Sequence, residues 1–307
     1  MEPLNLKYSK AIEKRIKTLI EKDNLSKTNT ELIIRFVKKS IIQGIGERRA
    51  IKYFGILKNI ANWLGKDFDK ATKEDIERIV GYIATSNYQE WTKWSYRVII
   101  KLFWKWLEGN DEYYPEKVKW IKAKQMSAKI KPPEDLITRE ELEKIIALCS
   151  NNRDKCIIAL LYESGIRIGE LLNLKVKNVE LNSNPVKLFV DSQKTKTRRK
   201  IPIVESVPYI VKWLEEHPDP KPNSPLFVKI HRKRNKNCRI HYENIYKLMR
   251  KINEKLDNGK KIYPHLFRHS RASELANYLT EAQMCKYFGW AMGSDMPAVY
   301  VHLSGRD

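Results

Sequence analysis

Two short patterns in the second half of the chain each place an arginine one helical turn from another functional side chain. The run GIRIGEL is predicted to lie in an apolar helix, where Glu170 would orient the Arg167 guanidinium for binding an oxyanion. His265 and Arg268, in the run PHLFRH, would face the same way and join a proton carrier to an anion-binding group. Each pattern alone has a structural alternative. The first could be an ordinary helical ion pair, and the second a core histidine beside a surface arginine.

Two further patterns lie in the same half of the chain. A basic turn with the sequence KTKTRRK begins at Lys194, between two predicted strands. Trp290 follows a glycine that would end a helix, and Tyr300 comes ten residues after it in the run MPAVYVHL. Taken alone, Tyr300 is better explained as a packing residue than as a nucleophile.

The charge of the chain indicates a polyanionic partner. Lys and Arg outnumber Asp and Glu by 59 to 37 over 307 residues, which gives a formal net charge of +22. Residues 194–200 hold five basic residues in seven, and residues 229–239 hold six Lys or Arg and no acid. Phosphates lying against such clusters would stabilise them, which favours DNA or RNA as the partner. The alternative is a lysine-rich surface without a binding role, as some thermophilic proteins have.

In this order and with these spacings, the four patterns resemble the tyrosine recombinase (phage-integrase) family. The resemblance extends from about Thr138 to the C-terminus, and the ending MPAVYVHLSGRD is similar to that of archaeal, Xer-like members. It implies a site-specific DNA recombinase or integrase that cleaves and rejoins strands through a covalent 3′-phosphotyrosyl intermediate without a cofactor. It also implies double-stranded recombination sites as the partner, a homotetramer assembled on DNA, and an origin in a mobile element.

The resemblance assigns Arg167 as the first catalytic arginine, Glu170 as a supporting acid, and His265 with Arg268 as the HxxR box. A phosphodiester gains negative charge on its equatorial oxygens during attack, and two planar guanidinium groups can bind those oxygens. Tyr300 matches the nucleophile. Because a tyrosine hydroxyl has an ordinary pKa of about 10, it needs a positive field and a proton acceptor, and His265 could supply both.

The same resemblance assigns two more residues to the catalytic set. Lys194 lies eight residues before Pro202, the offset of the hairpin lysine in related Xer-type sequences, and Lys196 is a rival in the same turn. Such a lysine could protonate the departing 5′ oxygen. Trp290 stands where many relatives have histidine, and its indole N–H can donate to a non-bridging oxygen. Further DNA contacts are expected at Lys196, Arg198, Arg199, Arg232, Lys233 and Arg234.

The elements that must position these residues belong to a mostly helical α+β domain, predicted over 137–307. It opens with a helix whose N-cap is Thr138. Residues 187–190 and 200–204 are predicted as two short strands around the basic turn, and Pro202 indicates an edge position for the second strand. Helices are predicted at about 206–216, 241–256, 265–279 and 280–289.

Residues 1–121 are predicted to form a separate helical domain, joined to the second by a basic linker at 122–136. Thr72 with Asp75 resembles a capping box, and apolar residues recur at helical spacing in several stretches. The aromatic segment 91–107 is interpreted mainly as bundle core, with base stacking as the alternative for its exposed rings. The apolar stripes comprise Ile12, Ile16, Leu19, Ile20, Tyr53, Leu57, Ile60, Leu64, Ile76, Ile79, Val80 and Ile83.

These predictions give a mostly α fold with a small antiparallel sheet. With the resemblance, they imply an N-terminal SAM-like core-binding bundle that clamps DNA, followed by a tyrosine-recombinase catalytic domain. No apolar run approaches the roughly 18 residues of a membrane span. The N-terminus lacks a basic stretch followed by an apolar one, and the four cysteines form no CxxC pair. We therefore expect a cytoplasmic protein, or one in the host-cell cytoplasm if a virus or plasmid encodes it, without a metal site.

Two other functions remain open at this point. A type IB topoisomerase-like enzyme, which nicks and closes DNA, would use the same catalytic set. A non-catalytic DNA-binding protein of the same fold would not need it, yet every expected catalytic position holds a chemically competent residue.

Overall fold

The computed structural model describes residues 25–123, 132–191, 198–230, 238–256 and 259–301. The chain divides into two compact units, Met1–Ser127 and Ala128–Asp307. This division lies inside the range predicted as a linker. Several predicted features lie outside the described residues: the apolar stripe within 12–20, Lys194, Lys196, Arg232, Lys233 and Arg234.

The described part of the first unit is helical. The predicted apolar residues Tyr53, Leu57, Ile60 and Leu64 are buried in α2 (Glu47–Leu64), and Ile76, Ile79, Val80 and Ile83 are buried in α3 (Lys73–Thr85), as the sequence predicts. The capping box at the start of α3 is present, since Thr72 accepts from the Asp75 N–H and the Asp75 carboxylate accepts from the Thr72 N–H. The helices are α1 (Lys27–Ile42), α2 (Glu47–Leu64), α3 (Lys73–Thr85), α4 (Glu90–Glu108) and α5 (Glu116–Lys119).

The aromatic helix α4 serves both as core and as surface. Phe103 and Trp104 are fully buried and pack against Phe68 at ring-centroid distances of 4.7 and 5.6 Å. Trp91, at the start of the helix, is 50% exposed. The interpretation as bundle core therefore holds for Tyr96, Phe103 and Trp104, which are buried along α4.

The second unit combines helices with one small sheet. Capping boxes open α6 (Arg139–Ala147), at Thr138 with Glu141, and α12 (Glu281–Phe288), at Thr280 with Gln283, as the sequence predicts. The helix predicted over 265–279 ends earlier, at Leu275. The helices are α6 (Arg139–Ala147), α7 (Asn152–Ser164), α8 (Ile168–Asn173), α9 (Val207–Glu215), α10 (Tyr242–Lys255), α11 (Pro264–Leu275), α12 (Glu281–Phe288) and α13 (Met296–Val301).

The sheet is antiparallel, with three strands in the order β1 (Val179–Glu180), β2 (Val186–Asp191) and β3 (Arg198–Ile203). The two predicted strands are β2 and β3, and Pro202 lies on an edge strand as expected. Burial alternates along β3, so that Arg199 points into the unit while Arg198 points outward. The alternation therefore turns Arg199, and not Arg198, toward the interior of the second unit.

The core of the second unit surrounds α7. Every residue of this helix from Cys156 to Ser164 is buried, and α6, α9 and α11 pack against it. The central helix therefore carries its last residues into the interior, where the site begins. The structure confirms the predicted mostly helical fold with a small antiparallel sheet. In the part of the chain that the structure describes, no helix is long and apolar enough to span a membrane.

Candidate active site

Arg167 lies at a break between two helices, which corrects the prediction of one continuous helix through GIRIGEL. Gly165 ends α7 in the left-handed conformation, with φ of +56°, and Arg167 is extended at the N-cap of α8. A Cβ at Gly165 would lie 2.5 Å from Cε1 of Phe288, so the close approach of this ring also requires glycine. The break turns the Arg167 side chain toward the start of α8.

Glu170 holds Arg167 in place, as the spacing predicts. Its carboxylate accepts from the Arg167 backbone N–H at 2.9 Å and from Nη1 of Arg167 at 3.0 Å. The Arg167 side chain remains 25% exposed, whereas the Glu170 side chain is only 6% exposed. The arginine can therefore reach a ligand while the buried carboxylate fixes its direction.

A second arginine, Arg199, binds the same carboxylate from the sheet. Its Nη2 donates to Oε2 of Glu170 at 2.7 Å and its Nη1 to Oε1 at 3.2 Å, with the Arg199 side chain 5% exposed. Arg199, expected to contact DNA, therefore lies on the inner face of β3 with its guanidinium on Glu170, and its contact with DNA stays a prediction. The strand period could have revealed this, since Arg199 shares a face with Ile201 and Ile203.

Glu170 remains ionised despite its burial. Loss of hydration would raise the pKa of this carboxyl, but the hydrogen bonds and charge of Arg199, together with Arg167, lower it below its ordinary value. Two guanidinium groups and one carboxylate thus form a buried cluster with net positive charge.

Arg268, on α11, links this helix to two turns of the chain by hydrogen bonds. Its Nη1 donates to the carbonyl of Gly165 and its Nη2 to the carbonyl of Phe288, both at 2.8 Å. The guanidinium also lies over the rings of Phe288 and Trp290, at 5.0 and 5.4 Å from their centroids. Burial, and then the charge of Arg167, lower the pKa of Arg268. The two arginines are therefore close enough for their charges to interact.

Tyr300 lies in an aromatic stack beside Arg268. Its ring is parallel to that of Trp290, at 5.5 Å and 6°, and Trp290 stacks in turn on Phe288 at 4.8 Å. Only 3% of Tyr300 is exposed. Burial raises the pKa of its hydroxyl to about 12, and the charge of Arg268 opposes that shift. The hydroxyl of Tyr300 is therefore protonated at neutral pH.

The Tyr300 hydroxyl lies on a histidine that sequence reasoning missed. Its Oη is 2.7 Å from Nδ1 of His269, the residue directly after Arg268. His265, one turn earlier on α11, meets the His269 ring edge-on at 4.8 Å and is itself exposed. The i, i+4 spacing of the two histidines is the signal that could have identified His269. Partial loss of hydration, with the charges of Arg268 and Arg167, lowers the pKa of His265.

The structure thus brings together five of the six predicted catalytic residues, and the sixth, Lys194, is outside the described residues. Arg268 is at the centre, since its guanidinium donates to the carbonyl of Gly165, in the turn before Arg167, and lies over the Trp290 ring on which Tyr300 stacks. Arg198 stays on the outer face of β3, near Asp191 and over the ring of Phe189.

In the described residues, Arg167, Arg268, His265, Trp290 and Tyr300 lie together in a mostly helical unit with a three-stranded sheet, which is the arrangement that the resemblance to tyrosine recombinases implies. The model of the phage integrase family matches residues 135–306, and the chain belongs to this family. This confirms the predicted family.

Relatives in archaea and bacteria are named tyrosine recombinases. The chain is 34% identical to tyrosine recombinase XerA of Pyrococcus horikoshii over 141 residues, which are 45% of this chain and 46% of that protein. The match therefore spans about half the length of that relative. A tyrosine recombinase of Thermosipho africanus is 23% identical over 259 residues, or 82% of this chain and 87% of the relative.

Solved structures share the fold. A lambda integrase dimer bound to a COC′ core site matches with a TM-score of 0.69 and 17% identity, covering 99% of this chain and 83% of that one. The XerH site-specific recombinase bound to difH substrate matches with a TM-score of 0.64 and 18% identity, covering 96% and 87%. At these identities the likeness establishes the fold.

Proposed function

We propose that the chain is a site-specific DNA recombinase that cleaves and rejoins strands through a covalent 3′-phosphotyrosyl intermediate. One observation carries the proposal: Tyr300 and Arg268 lie in the same site, since the Tyr300 ring stacks on Trp290 at 5.5 Å and the Arg268 guanidinium lies 5.4 Å from the centroid of the same indole ring. The site therefore holds a nucleophile next to a group that can bind an oxyanion. Cleavage of a phosphodiester by attack on phosphorus requires both.

The two arginines would stabilise the transition state. Arg167 is partly exposed, and its remaining N–H groups would bind a non-bridging oxygen while Glu170 fixes its plane. Arg268 holds two carbonyls with one N–H from each terminal nitrogen, which leaves further donors of its fork for the phosphate. Trp290 would donate its indole N–H to the same group. His265 completes the HxxR box at the exposed edge.

The leaving group needs a proton. As the 5′ oxygen departs from phosphorus it carries negative charge, and a lysine of the basic turn, Lys194 or its rival Lys196, would donate the proton. The phosphotyrosyl bond conserves the energy of the broken ester, so a 5′-hydroxyl can reverse the step without a high-energy cofactor.

The DNA and the assembly follow from the same proposal. The outward Arg198 and the basic run 232–234 would contact phosphates, and the helical first unit would act as the core-binding domain. Lambda integrase, whose tetramer has been solved on a Holliday junction, matches 95% of this chain with a TM-score of 0.66. We extend that tetramer on DNA to this chain, acting in the cytoplasm of the cell that carries its gene or of a host cell.

The test is a trap for the covalent adduct. Nicked duplexes with a random central region are incubated with the full chain, and protein–DNA adducts are isolated in denaturant and sequenced. Tyr300→Phe should abolish the adduct while leaving DNA binding nearly unchanged. Tyr278→Phe is the matched control, because Tyr278 is 75% exposed and should form wild-type adduct. Equal adduct from wild type and Tyr300→Phe would refute the assignment of the nucleophile.

A second assay distinguishes the alternatives. DNA carrying two copies of the recovered sequence should give exchanged products if the chain is a recombinase. Relaxation of supercoiled DNA without exchange would instead indicate a topoisomerase-like enzyme. Binding without any adduct would indicate a non-catalytic DNA-binding protein.

A further inference from the structure

His269 makes a direct contact with the proposed nucleophile. The Oη of Tyr300 and the Nδ1 of His269 are 2.7 Å apart, within the reach required for proton transfer between a nucleophile and a general base. The sequence pattern points to His265 as the base, whereas the geometry points to its neighbour. We propose that His269 is a catalytic residue that takes the proton from Tyr300 during cleavage. This inference rests on the proposed function, since it assumes that Tyr300 attacks phosphorus.

The burial of Tyr300 explains why it needs a direct acceptor. The side chain stacks on Trp290 and only 3% of the residue is exposed, so bulk water has little access to the hydroxyl. A phenolate formed there before attack would be poorly solvated, and burial raises the pKa of Tyr300 accordingly, to about 12. Transfer of the proton during attack avoids that anion.

Charged and titratable groups lie near this hydrogen bond. The positive charge of Arg268 and the negative charge that an ionised Tyr263 would carry both act on the Tyr300 hydroxyl. His265, also on α11, meets the His269 ring edge-on. A neutral His269 with its proton on Nε2 accepts the Tyr300 hydrogen bond at Nδ1.

The step balances in atoms and charge. A bond forms between Oη of Tyr300 and phosphorus as the bond from phosphorus to the 5′ oxygen breaks. The hydroxyl proton moves to Nδ1 of His269, which becomes imidazolium, and the departing 5′ oxygen takes its proton from the lysine of the basic turn. In rejoining, the 5′-hydroxyl attacks phosphorus and gives its proton to the now neutral lysine of the basic turn. The bond from phosphorus to Oη of Tyr300 breaks, and His269 returns its proton to Oη, as reversibility requires.

The experiment measures single-turnover cleavage of the recovered duplex across pH for wild type, His269→Asn and His265→Asn. Asparagine can accept a hydrogen bond but cannot take up the proton. We expect His269→Asn to slow cleavage by about 10²-fold or more and to remove the fall in rate at low pH. His265→Asn should keep the fall in cleavage rate at low pH. The proposal would be overturned if His265→Asn alone lost the fall in cleavage rate at low pH, or if His269→Asn cleaved at the wild-type rate.

A more acidic nucleophile separates proton transfer from a purely structural role. Fluorotyrosine placed at position 300 loses its proton more readily and needs a base less. It should restore cleavage in His269→Asn by a larger factor than it changes the wild-type rate. An equal factor in both backgrounds would mean that His269 only supports the fold of the site.

One measurement does not depend on DNA or on the nucleophile assignment. In protein labelled with 15N-histidine, the Nδ1 resonance of His269, assigned with His269→Asn, should shift in Tyr300→Phe, which removes the hydroxyl. An unchanged resonance would refute the hydrogen bond. If Tyr300→Phe abolishes the adduct while His269→Asn cleaves normally, the proposed function stands and only the role of His269 fails.

Discussion

Glu170→Gln removes the negative charge that holds two arginines in the interior of the second unit. The Glu170 and Arg199 side chains are 6% and 5% exposed, so solvent does not screen this pair. Removing one partner of a buried ion pair costs about 3–5 kcal/mol, because the other charge is left uncompensated. For a domain of this size, about 2–4 °C is lost per kcal/mol, so the melting temperature should fall by roughly 6–20 °C.

The effect should also depend on pH with a definite sign. Burial raises the pKa of Glu170, but Arg199 and Arg167 lower it by more, so its folded pKa lies below the unfolded value. The stability that the carboxylate contributes is therefore present above its unfolded pKa, about 4.5, and is lost as the pH falls through the folded pKa. The difference between wild type and Glu170→Gln should shrink on acidification.

Calorimetric unfolding of the full chain, at neutral pH and at several acidic values, measures both effects. The matched control is Glu254→Gln, which removes an exposed pair with Arg250 on α10 whose side chains are 61% and 62% exposed. That pair should contribute about 0–1 kcal/mol. Equal destabilisation by the two variants, or a Glu170→Gln deficit that does not change with pH, would refute the reasoning.

Two further predictions concern the turn before Arg167 and the basic surface. Gly165→Ala should lower the unfolding free energy by about 1–3 kcal/mol more than Gly65→Ala, because its Cβ would overlap Phe288. Both glycines end helices with positive φ, but a Cβ added at Gly65 would meet no atom within 4 Å, so the difference between the two variants in urea unfolding reports the overlap. Alanine at 232–234 should weaken binding to all DNA sequences and reduce the slope of log K against log salt by about one per lost phosphate contact.

Local chemistry made much of the fold predictable from sequence. The capping boxes at Thr72, Thr138 and Thr280 depend on residues three positions apart, so a short window of sequence contains all their partners. The apolar stripes of α2 and α3 are equally local. Pro202 could be assigned to an edge strand because it lacks a backbone donor.

The sequence predicts the structure less well where distant parts of the chain decide the outcome. The run GIRIGEL predicts one continuous helix, whereas Gly165 ends α7. The ring of Phe288, more than a hundred residues later, occupies the space of a Cβ. Arg199 was grouped with a basic surface cluster, although its partner Glu170 lies 29 residues earlier and β3 turns the side chain inward. Composition gives the charge of a segment and not the direction of its side chains.

For the same reason the sequence predicts a role for Arg268 and not for His269. Arg268 was identified through a family pattern, whereas the contact of His269 with Tyr300 joins residues 31 positions apart. Arg268 and His269 make different contacts in the site. Arg268 fixes the carbonyls of Gly165 and Phe288, so the turn that leads to Arg167 and the turn that leads to Trp290 are held by one guanidinium. His269 contacts the tyrosine that stacks on Trp290, so one turn of α11 positions the proposed oxyanion-binding groups and the proposed proton acceptor together.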